Sequence, residues 1–260
     1  IKCGPIPEMR SWQTMPLGSL KGGEKVLRFA ADHLVFGEGA MIGKPLILDP
    51  FQQAFVLAAF DEDKHISKAM LSVARRNGKT LVLAAILLYL MFAVGGAPTN
   101  SMIRSAAMTR EQAGLLHRLM AQILHLSEDL KEDIHYKVVP SSKKIVALRR
   151  GVEYQALSRD AKAGHGQGLY CLVVDECGQI DAPNDDFLDM LFSSMGTYED
   201  SKVFMISTMA PSDAAFFSVE LDTAERESPP NIVSHVYTAA DDEIVNLKNW
   251  KSANPSLRGG

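Results

Sequence analysis

Two short segments of the sequence contain residue types that bind a phosphate chain and a divalent metal ion. The first ends in Gly78-Lys79-Thr80, where a predicted strand gives way to a predicted helix. A glycine there permits a tight turn of the backbone, and the free amides at the start of the helix face an anion. We therefore predict that Lys79 reaches between the β- and γ-phosphates of ATP, and that the Thr80 hydroxyl is a ligand of Mg²⁺.

The first segment departs from the usual phosphate-loop spacing, because Val73 stands where a further glycine is expected five residues before Gly78. Arg75, Arg76 and Asn77 lie within the predicted loop and are expected to bind the nucleotide. A guanidinium suits the charge of a transferring phosphoryl group, and Arg75 is favoured for this catalytic role because it lies further from the glycine turn. The alternative is an ordinary basic turn between a strand and a helix.

The second segment is Asp175-Glu176, which follows the continuous apolar run Tyr170 to Val174. Such a run is typical of a central parallel strand covered on both faces. Ligands bind at the carboxyl ends of these strands, so both acids are expected in the crevice. We predict that Asp175 lies by Mg²⁺ and that Glu176 orients a water molecule for attack on the γ-phosphate. The alternative is a solvated strand end.

The elements around both segments alternate between short apolar runs and longer amphipathic stretches, which predicts an α/β fold with a largely parallel sheet. The strands are predicted at 68–73, 101–107, 170–174, 202–206 and 232–237, with a hairpin formed by 137–139 and 144–148. The helices are predicted at 24–35, 50–60, from Thr80 onward, at 109–126 with Thr109 as its cap, at 185–195 and at 211–223.

Composition restricts the classes of protein that fit. The chain has 260 residues, of which 47% are apolar and 22% charged, with a net charge of −4. These values describe a globular protein and exclude one that binds nucleic acid by bulk charge. The apolar run Leu81 to Val94 is shorter than the roughly 20 residues of a membrane span and is predicted to be a core helix. Three cysteines without metal-ligand spacing indicate reduced thiols.

Together, these residues resemble the ATPase domain of the terminase large subunits of tailed bacteriophages and prophages, the motors that package DNA. The resemblance covers about residues 46–255. In that family the phosphate loop often lacks its first glycine and carries arginine, as Ser72 to Thr80 does here. The resemblance implies a RecA-like (ASCE) P-loop ATPase fold, with a mostly parallel sheet flanked by helices. It also implies Mg²⁺-dependent ATP hydrolysis that moves double-stranded DNA into a capsid.

The resemblance also implies roles for further residues. Phe51 and Gln52 lie in a segment similar to the family's adenine-recognition segment, where a glutamine amide pairs with the base. Ser207 and Thr208 resemble the coupling motif that senses the γ-phosphate. Arg159 is the candidate for an arginine finger that acts on the site of a neighbouring subunit. The ordinary alternatives are a surface glutamine and a strand-end cap.

Two more segments are similar to parts of these motors. Residues 107–113 resemble the element after the second strand, and 250–257 resemble the exit from the ATPase domain. We therefore expect an N-terminal arm at 1–45, the ATPase domain at 46–250 and the start of a linker to a missing nuclease domain at 251–260. Without that nuclease domain, the chain is not expected to cut DNA.

The expected partners also follow from the resemblance. They are double-stranded DNA, further copies of the chain in a ring on a capsid portal, and the small terminase subunit, with no membrane, in the cytoplasm of the bacterial host. The basic segment 137–162 has a net charge of +5 and is a candidate for contact with DNA or a neighbouring subunit. A helicase-like DNA-dependent ATPase and a nucleotide-dependent assembly module remain as alternatives. Glu176 argues against the assembly module.

Overall fold

The computed structural model describes residues 13–133, 136–159, 168–181, 183–238 and 251–256. Eight strands within these ranges form one sheet, in the order β3-β4-β5-β2-β6-β7-β1-β8. The strands are β1 Lys68–Ser72, β2 Met102–Ala107, β3 Tyr136–Val139, β4 Lys144–Ala147, β5 Val152–Ser158, β6 Leu169–Asp175, β7 Lys202–Ser207 and β8 Ile232–Val236.

The sheet is parallel from β5 to β8, while β3 and β4 are antiparallel additions at the other edge. The helices are α1 Gly23–His33, α2 Pro50–Ala59, α3 Lys79–Phe92, α4 Arg110–Leu126, α5 Glu128–Asp133, α6 Asp186–Ser193 and α7 Phe216–Glu227. This confirms the predicted α/β class with a mostly parallel sheet flanked by helices.

Helix α3 follows β1 and is buried along almost its whole length, as its continuous apolar sequence predicts. Helix α4 begins after Thr109, whose hydroxyl accepts a hydrogen bond from the backbone of Gln112 at 3.2 Å, so the predicted cap is confirmed. Helix α1 belongs to the segment predicted as an arm, and it places Val26, Leu27 and Ala30 in the main core. No helix of the described residues is both long and apolar enough to cross a membrane.

Two predicted elements differ from the structure. The helix expected at 211–223 begins only at Phe216 and continues to Glu227. Residues 152–158 form β5, which the sequence pattern did not predict. This strand pairs with β2 on one side and with β4 on the other, so it joins the predicted hairpin to the parallel sheet.

Candidate functional site

The carboxyl ends of β1, β7 and β6 lie side by side and bring the two predicted segments together. Strand β7 lies between the other two, with Ser72 opposite Ser207 and Asp175 opposite Ile206. The loop after β1 and the acids at the end of β6 therefore lie at the same edge of the sheet. Ligands of open parallel sheets bind at this edge.

The loop after β1 turns at two residues with left-handed backbone. Arg76 has φ +66° and Gly78 has φ +67°, a conformation that glycine adopts at little cost. Helix α3 starts directly afterwards at Lys79. A Cβ atom at Gly78 would lie only 2.6 Å from Nε2 of Gln52, so glycine is required both by the turn and by the neighbouring amide.

Lys79 is buried, and its ammonium group points back into the loop. Nζ donates to the carbonyl oxygens of Val73 at 3.3 Å and Ala74 at 3.4 Å. It also lies 3.9 Å from Oε1 of Glu176. Burial lowers the pKa of Lys79, and the negative charges of Glu176 and Asp175 oppose that shift. The residue is thus a buried cation at the edge of the sheet, with an acid beside it.

The side chain of Asn77 stabilises the loop from within. Its Nδ2 donates to the carbonyl oxygens of Ala74 at 3.1 Å and Arg75 at 3.3 Å. Gln52 supports the same loop from α2, because its Nε2 donates to the Asn77 carbonyl at 3.0 Å and its Oε1 accepts from the Asp49 amide at 2.9 Å. Both polar groups of the Gln52 amide therefore have partners within the protein.

Phe51 lies deeper than expected for a residue that contacts a nucleotide. It is 1% exposed, and its ring packs edge-on against Tyr237 with centroids 5.3 Å apart. A ring buried in this way fixes α2 against the sheet, and Gln52 with it. The structure thus brings Gln52 to the phosphate loop but places Phe51 in the core behind it.

The two acids differ in environment. Burial raises the pKa of Asp175 to about 6, with a further increase from the nearby charge of Glu176. Glu176 is partly exposed and has left-handed backbone with φ +54°. Its amide donates to the carbonyl of Ile206 at 2.8 Å. Strained backbone of this kind is common at functional sites, and here it turns the glutamate away from the strand direction.

Ser207 connects the end of β7 with Glu176. Its hydroxyl donates to Oε2 of Glu176 at 3.4 Å and accepts from the amide of Gly178 at 2.9 Å. A Cβ atom at Gly178 would lie 2.7 Å from both the Ser207 hydroxyl and the Thr208 carbonyl. Gly178 is therefore needed for the close approach of the two segments, and the sequence pattern alone did not single it out.

The catalytic candidates face a cavity of about 480 Å³. The residues that line it are Phe36, Gly37, Glu38, Gly39, Arg75, Arg76, Gly78, Lys79, Thr80, Leu81, Leu119 and Glu176. The structure thus brings most of the predicted loop and Glu176 to one space. The contribution of 36–39 was missed, since these residues precede α2 and carry no motif.

The loop of residues 36–39 is held over this cavity by its own hydrogen bonds and by α4. The amide of Phe36 donates to the Lys44 carbonyl at 2.9 Å, and the amide of Gly43 donates to the Phe36 carbonyl at 3.0 Å. A Cβ atom at Gly37 would meet Ile123 Cγ1 at 3.1 Å. Arg75 and Arg76 are exposed at the opposite wall.

Arg159 does not line this cavity. Its guanidinium forms an ion pair with Asp185, the residue before α6, and about half of its side chain is exposed. Together they border a separate cavity of about 670 Å³. The structure therefore does not bring Arg159 to the Lys79 site of its own chain. Residues 160–167, which complete the basic segment 137–162, lie outside the described residues.

The element after β2 contacts the acidic segment. Gln112, in the first turn of α4, donates from Nε2 to Oε1 of Gln179 at 2.8 Å. The segment predicted as the exit from the domain is described only for 251–256. It lies against the phosphate loop, since the amide of Ser256 donates to Oδ1 of Asn77 at 3.1 Å. The remainder of 250–257 lies outside the described residues.

Comparison with protein families gives a match over most of the chain. The family model described as "Terminase large subunit, ATPase domain" matches residues 50–226. The chain is 40% identical over 237 residues to the large terminase subunit of Enterobacteria phage HK97, and the match covers 90% of this chain and 46% of that relative.

Solved structures give a similar result. The chain resembles the crystal structure of the HK97 bacteriophage large terminase with a TM-score of 0.84 and 38% identity, over 92% of this chain and 48% of that chain. For the large terminase of a thermophilic bacteriophage, the TM-score is 0.50 at 17% identity, over 76% of this chain and 46% of that chain, which concerns the fold alone. The predicted RecA-like arrangement is confirmed. The chain spans about half the length of the relatives it matches.

Proposed function

Because the chain belongs to the family of terminase large-subunit ATPase domains, we propose that it binds ATP with Mg²⁺ beside Lys79 and hydrolyses it. The observation that carries this proposal is the convergence of Lys79, Thr80 and Glu176 on one cavity of about 480 Å³. A cation, a hydroxyl and a carboxylate in one space at the carboxyl edge of a parallel sheet suit a phosphate chain and its metal ion.

The residues of the site fit Mg²⁺ by their chemistry. No cluster of three or more His, Cys, Asp or Glu side chains suited to a metal occurs in the described part of the chain. Mg²⁺ does not need one, because it binds through one or two protein oxygens together with substrate phosphates and water. Asp175 is an acid whose pKa is raised by burial, so a nearby cation would stabilise its charged form. Thr80 and Asp175 would hold the ion, which would neutralise phosphate charge.

The protein's own residues have separate tasks in this mechanism. Lys79 leaves the carbonyls of Val73 and Ala74 and donates to the β- and γ-phosphates. Glu176 accepts a proton from the attacking water, which requires a partly exposed carboxylate with a fixed orientation. The Ser207 hydroxyl provides that orientation. Arg75 and Arg76 line the opposite wall and would stabilise charge on the transferring phosphoryl group.

The adenine end of the nucleotide is a separate part of the proposal. Gln52 already donates to the phosphate loop and accepts from the Asp49 amide. We therefore propose that Gln52 shapes the loop, and that it pairs with the base only if these hydrogen bonds are exchanged. Phe51 would act through the position of α2. Ser207 and Thr208 remain the proposed sensors of the γ-phosphate.

We propose further that hydrolysis drives double-stranded DNA into a capsid. In this proposal the chain works with further copies of itself on a capsid portal and with the small terminase subunit, in the bacterial cytoplasm. Support comes from family membership and from basic residues such as Lys137 and Arg149, which are exposed near the β3 edge. Contacts to phosphates predict DNA binding that weakens as salt concentration rises.

Phosphate release is the direct test of the enzymatic proposal. The chain should release phosphate from ATP in the presence of Mg²⁺, and release should stop when a chelator removes the metal ion. Added double-stranded DNA should increase the rate at low salt. A chain that binds ATP without releasing phosphate, alone or with DNA and at concentrations where it self-associates, would favour a nucleotide-dependent assembly module.

A further inference from the structure

A short segment far along the chain is attached to the phosphate loop through one side chain. Both polar atoms of the Asn77 amide contact residues 251–256. Its Nδ2 donates to Oδ1 of Asn254 at 3.1 Å, and its Oδ1 accepts from the amide of Ser256 at 3.1 Å. The segment therefore binds to a residue that lies directly before Gly78.

The same segment also binds to the start of α2. The Ser256 hydroxyl donates to Oδ2 of Asp49 at 2.8 Å. The Asp49 amide donates to Gln52, and Gln52 donates to the Asn77 carbonyl. These four residues, which we call the Asn77 ring, form a closed circuit of hydrogen bonds. Its members come from the segment, from α2 and from the phosphate loop.

The hydrogen bonds of Asn77 compete with one another. Its Nδ2 carries only two hydrogens, yet three acceptors lie within 3.3 Å, namely the carbonyls of Ala74 and Arg75 and the side chain of Asn254. Ala74 also accepts from Lys79. When Lys79 turns to a phosphate, the Ala74 carbonyl retains Asn77 as its donor, because a carbonyl shielded from water and left without a partner is costly. Less of the Asn77 amide then remains for Asn254.

We propose that Asn77 is a positioning residue that couples occupancy of the phosphate loop to the attachment of residues 251–256. A phosphate chain in the loop draws the Asn77 amide toward the loop carbonyls and weakens its hold on the segment. This inference rests on the proposed function, in which the ligand is ATP. Because coupling between two sites is reciprocal, loosening the segment strengthens nucleotide binding by the same factor.

Substitution of Ser256 tests the reciprocal effect. Ser256→Ala removes the hydrogen bond to Asp49 and leaves every residue of the phosphate loop unchanged. One hydrogen bond of ordinary strength predicts an increase of about threefold in affinity for a slowly hydrolysed ATP analogue. Ser193→Ala is the matched control, since its hydroxyl bonds locally to the Met190 carbonyl at the end of α6. Unchanged or weaker binding in Ser256→Ala overturns the coupling, because structural damage alone would weaken binding.

Hydrogen exchange at the Ser256 amide tests the direct effect, since this amide donates to Asn77. In the wild-type chain, the saturating analogue should increase its exchange rate severalfold. In Asn77→Ala, exchange should be fast with and without the analogue. Normal binding of the analogue with unchanged or slower exchange refutes the coupling alone. Absence of binding to the wild-type chain refutes both the coupling and the proposed function.

Discussion

The ammonium group of Lys79 lies 3.9 Å from the carboxylate of Glu176, and it also contacts carbonyls of its own loop. The proposed phosphate-binding cation and the proposed base thus neighbour each other in the absence of a ligand. A triphosphate that enters the cavity takes Lys79 from these partners and leaves Glu176 free to accept a proton. The two residues therefore separate binding from chemistry, and substitutions should distinguish their roles.

Replacement of the cation should affect binding first. We expect Lys79→Ala to reduce the affinity for a slowly hydrolysed ATP analogue by about tenfold or more, since it removes the lysine placed for the β- and γ-phosphates. Isothermal titration calorimetry measures the effect. Lys64→Ala is the control, because that lysine is exposed and pairs with Asp61 three residues earlier. Unchanged affinity in a folded Lys79→Ala chain would remove Lys79 from the site.

Replacement of the base should affect chemistry first. We expect Glu176→Gln to keep ATP affinity and to reduce turnover by about 100-fold or more, since an amide cannot accept the proton of the attacking water. Phosphate release under single-turnover conditions separates this loss from binding. Wild-type turnover in Glu176→Gln would assign the base to another residue.

Asp175→Asn should give a different pattern. We expect the concentration of Mg²⁺ needed for half-maximal hydrolysis to increase by about tenfold, because the amide lacks the charge that attracts the metal ion. Nucleotide binding measured with Mg²⁺ should weaken as well. Titration of Mg²⁺ at fixed ATP provides the measurement, and the matched comparison is Glu176→Gln, in which the requirement should stay near that of the wild type. Equal Mg²⁺ requirements in both variants would contradict the separate roles.

The Ser207 hydroxyl should matter for turnover because it orients Glu176. We expect Ser207→Ala to reduce kcat by about tenfold with little change in KM, a pattern typical of an interaction that acts in the transition state. Ser72→Ala is the control, since Ser72 lies opposite Ser207 in the sheet and its buried hydroxyl has no hydrogen-bond partner among the described residues. A loss of equal size in both variants would indicate general damage to the sheet.

Long apolar runs made the central elements predictable. Helix α3 and strand β6 are buried on all sides, so their sequences are continuous in apolar residues and their bounds follow closely. The chemistry of Lys79, Thr80 and Glu176 could be predicted because these residues lie directly at the ends of those elements. Their convergence then follows from the parallel sheet.

Features that depend on contacts between distant residues could not be predicted. Strand β5 mixes buried and half-buried positions, and part of its support comes from the ion pair between Glu153 and Arg104 on β2. The wall of the cavity at 36–39 depends on Gly37 packing against α4. The Asn77 ring joins polar residues from three remote segments, and no periodic pattern in the sequence marks such a group.

A buried histidine predicts how stability depends on pH. His235 on β8 is 6% exposed, its Nδ1 has no hydrogen-bond partner among the described residues, and burial lowers its pKa to about 4. The unfolded chain binds a proton near pH 6.5, whereas the folded chain does not until about pH 4. Its contribution to stability is therefore complete above pH 6.5 and is lost progressively as pH falls toward 4.

We expect the free energy of unfolding to decrease by about 2 kcal/mol between pH 7 and pH 5 through this residue. Urea unfolding at both pH values gives the measurement. In His235→Gln the decrease should be smaller by that amount, because glutamine does not titrate. His125→Gln serves as the control, since His125 is exposed on α4. An identical pH dependence in wild type and His235→Gln would show that this histidine does not titrate as expected.

The arginine that acts on the transferring phosphoryl group can be assigned by mixing variants. Arg159 is held by Asp185 away from the cavity of its own chain, so it can serve only the site of a neighbour. Arg75 lines its own cavity. Mixing Arg159→Ala with Glu176→Gln creates interfaces that combine an intact Glu176 with an intact Arg159. If Arg159 acts across subunits, two nearly inactive proteins should recover part of the ATPase activity when mixed at concentrations where they assemble.

The same mixture made with Arg75→Ala is the matched control and should show no recovery, because Arg75 and Glu176 must belong to the same chain. Specific activity of the wild-type chain should also increase with protein concentration if a neighbour completes the site. No recovery with Arg159→Ala under assembling conditions would exclude it. Arg75 and Arg76 would then be the remaining candidates in the loop, and Arg75→Ala alone should reduce turnover by about 1,000-fold, the size expected for loss of an arginine finger.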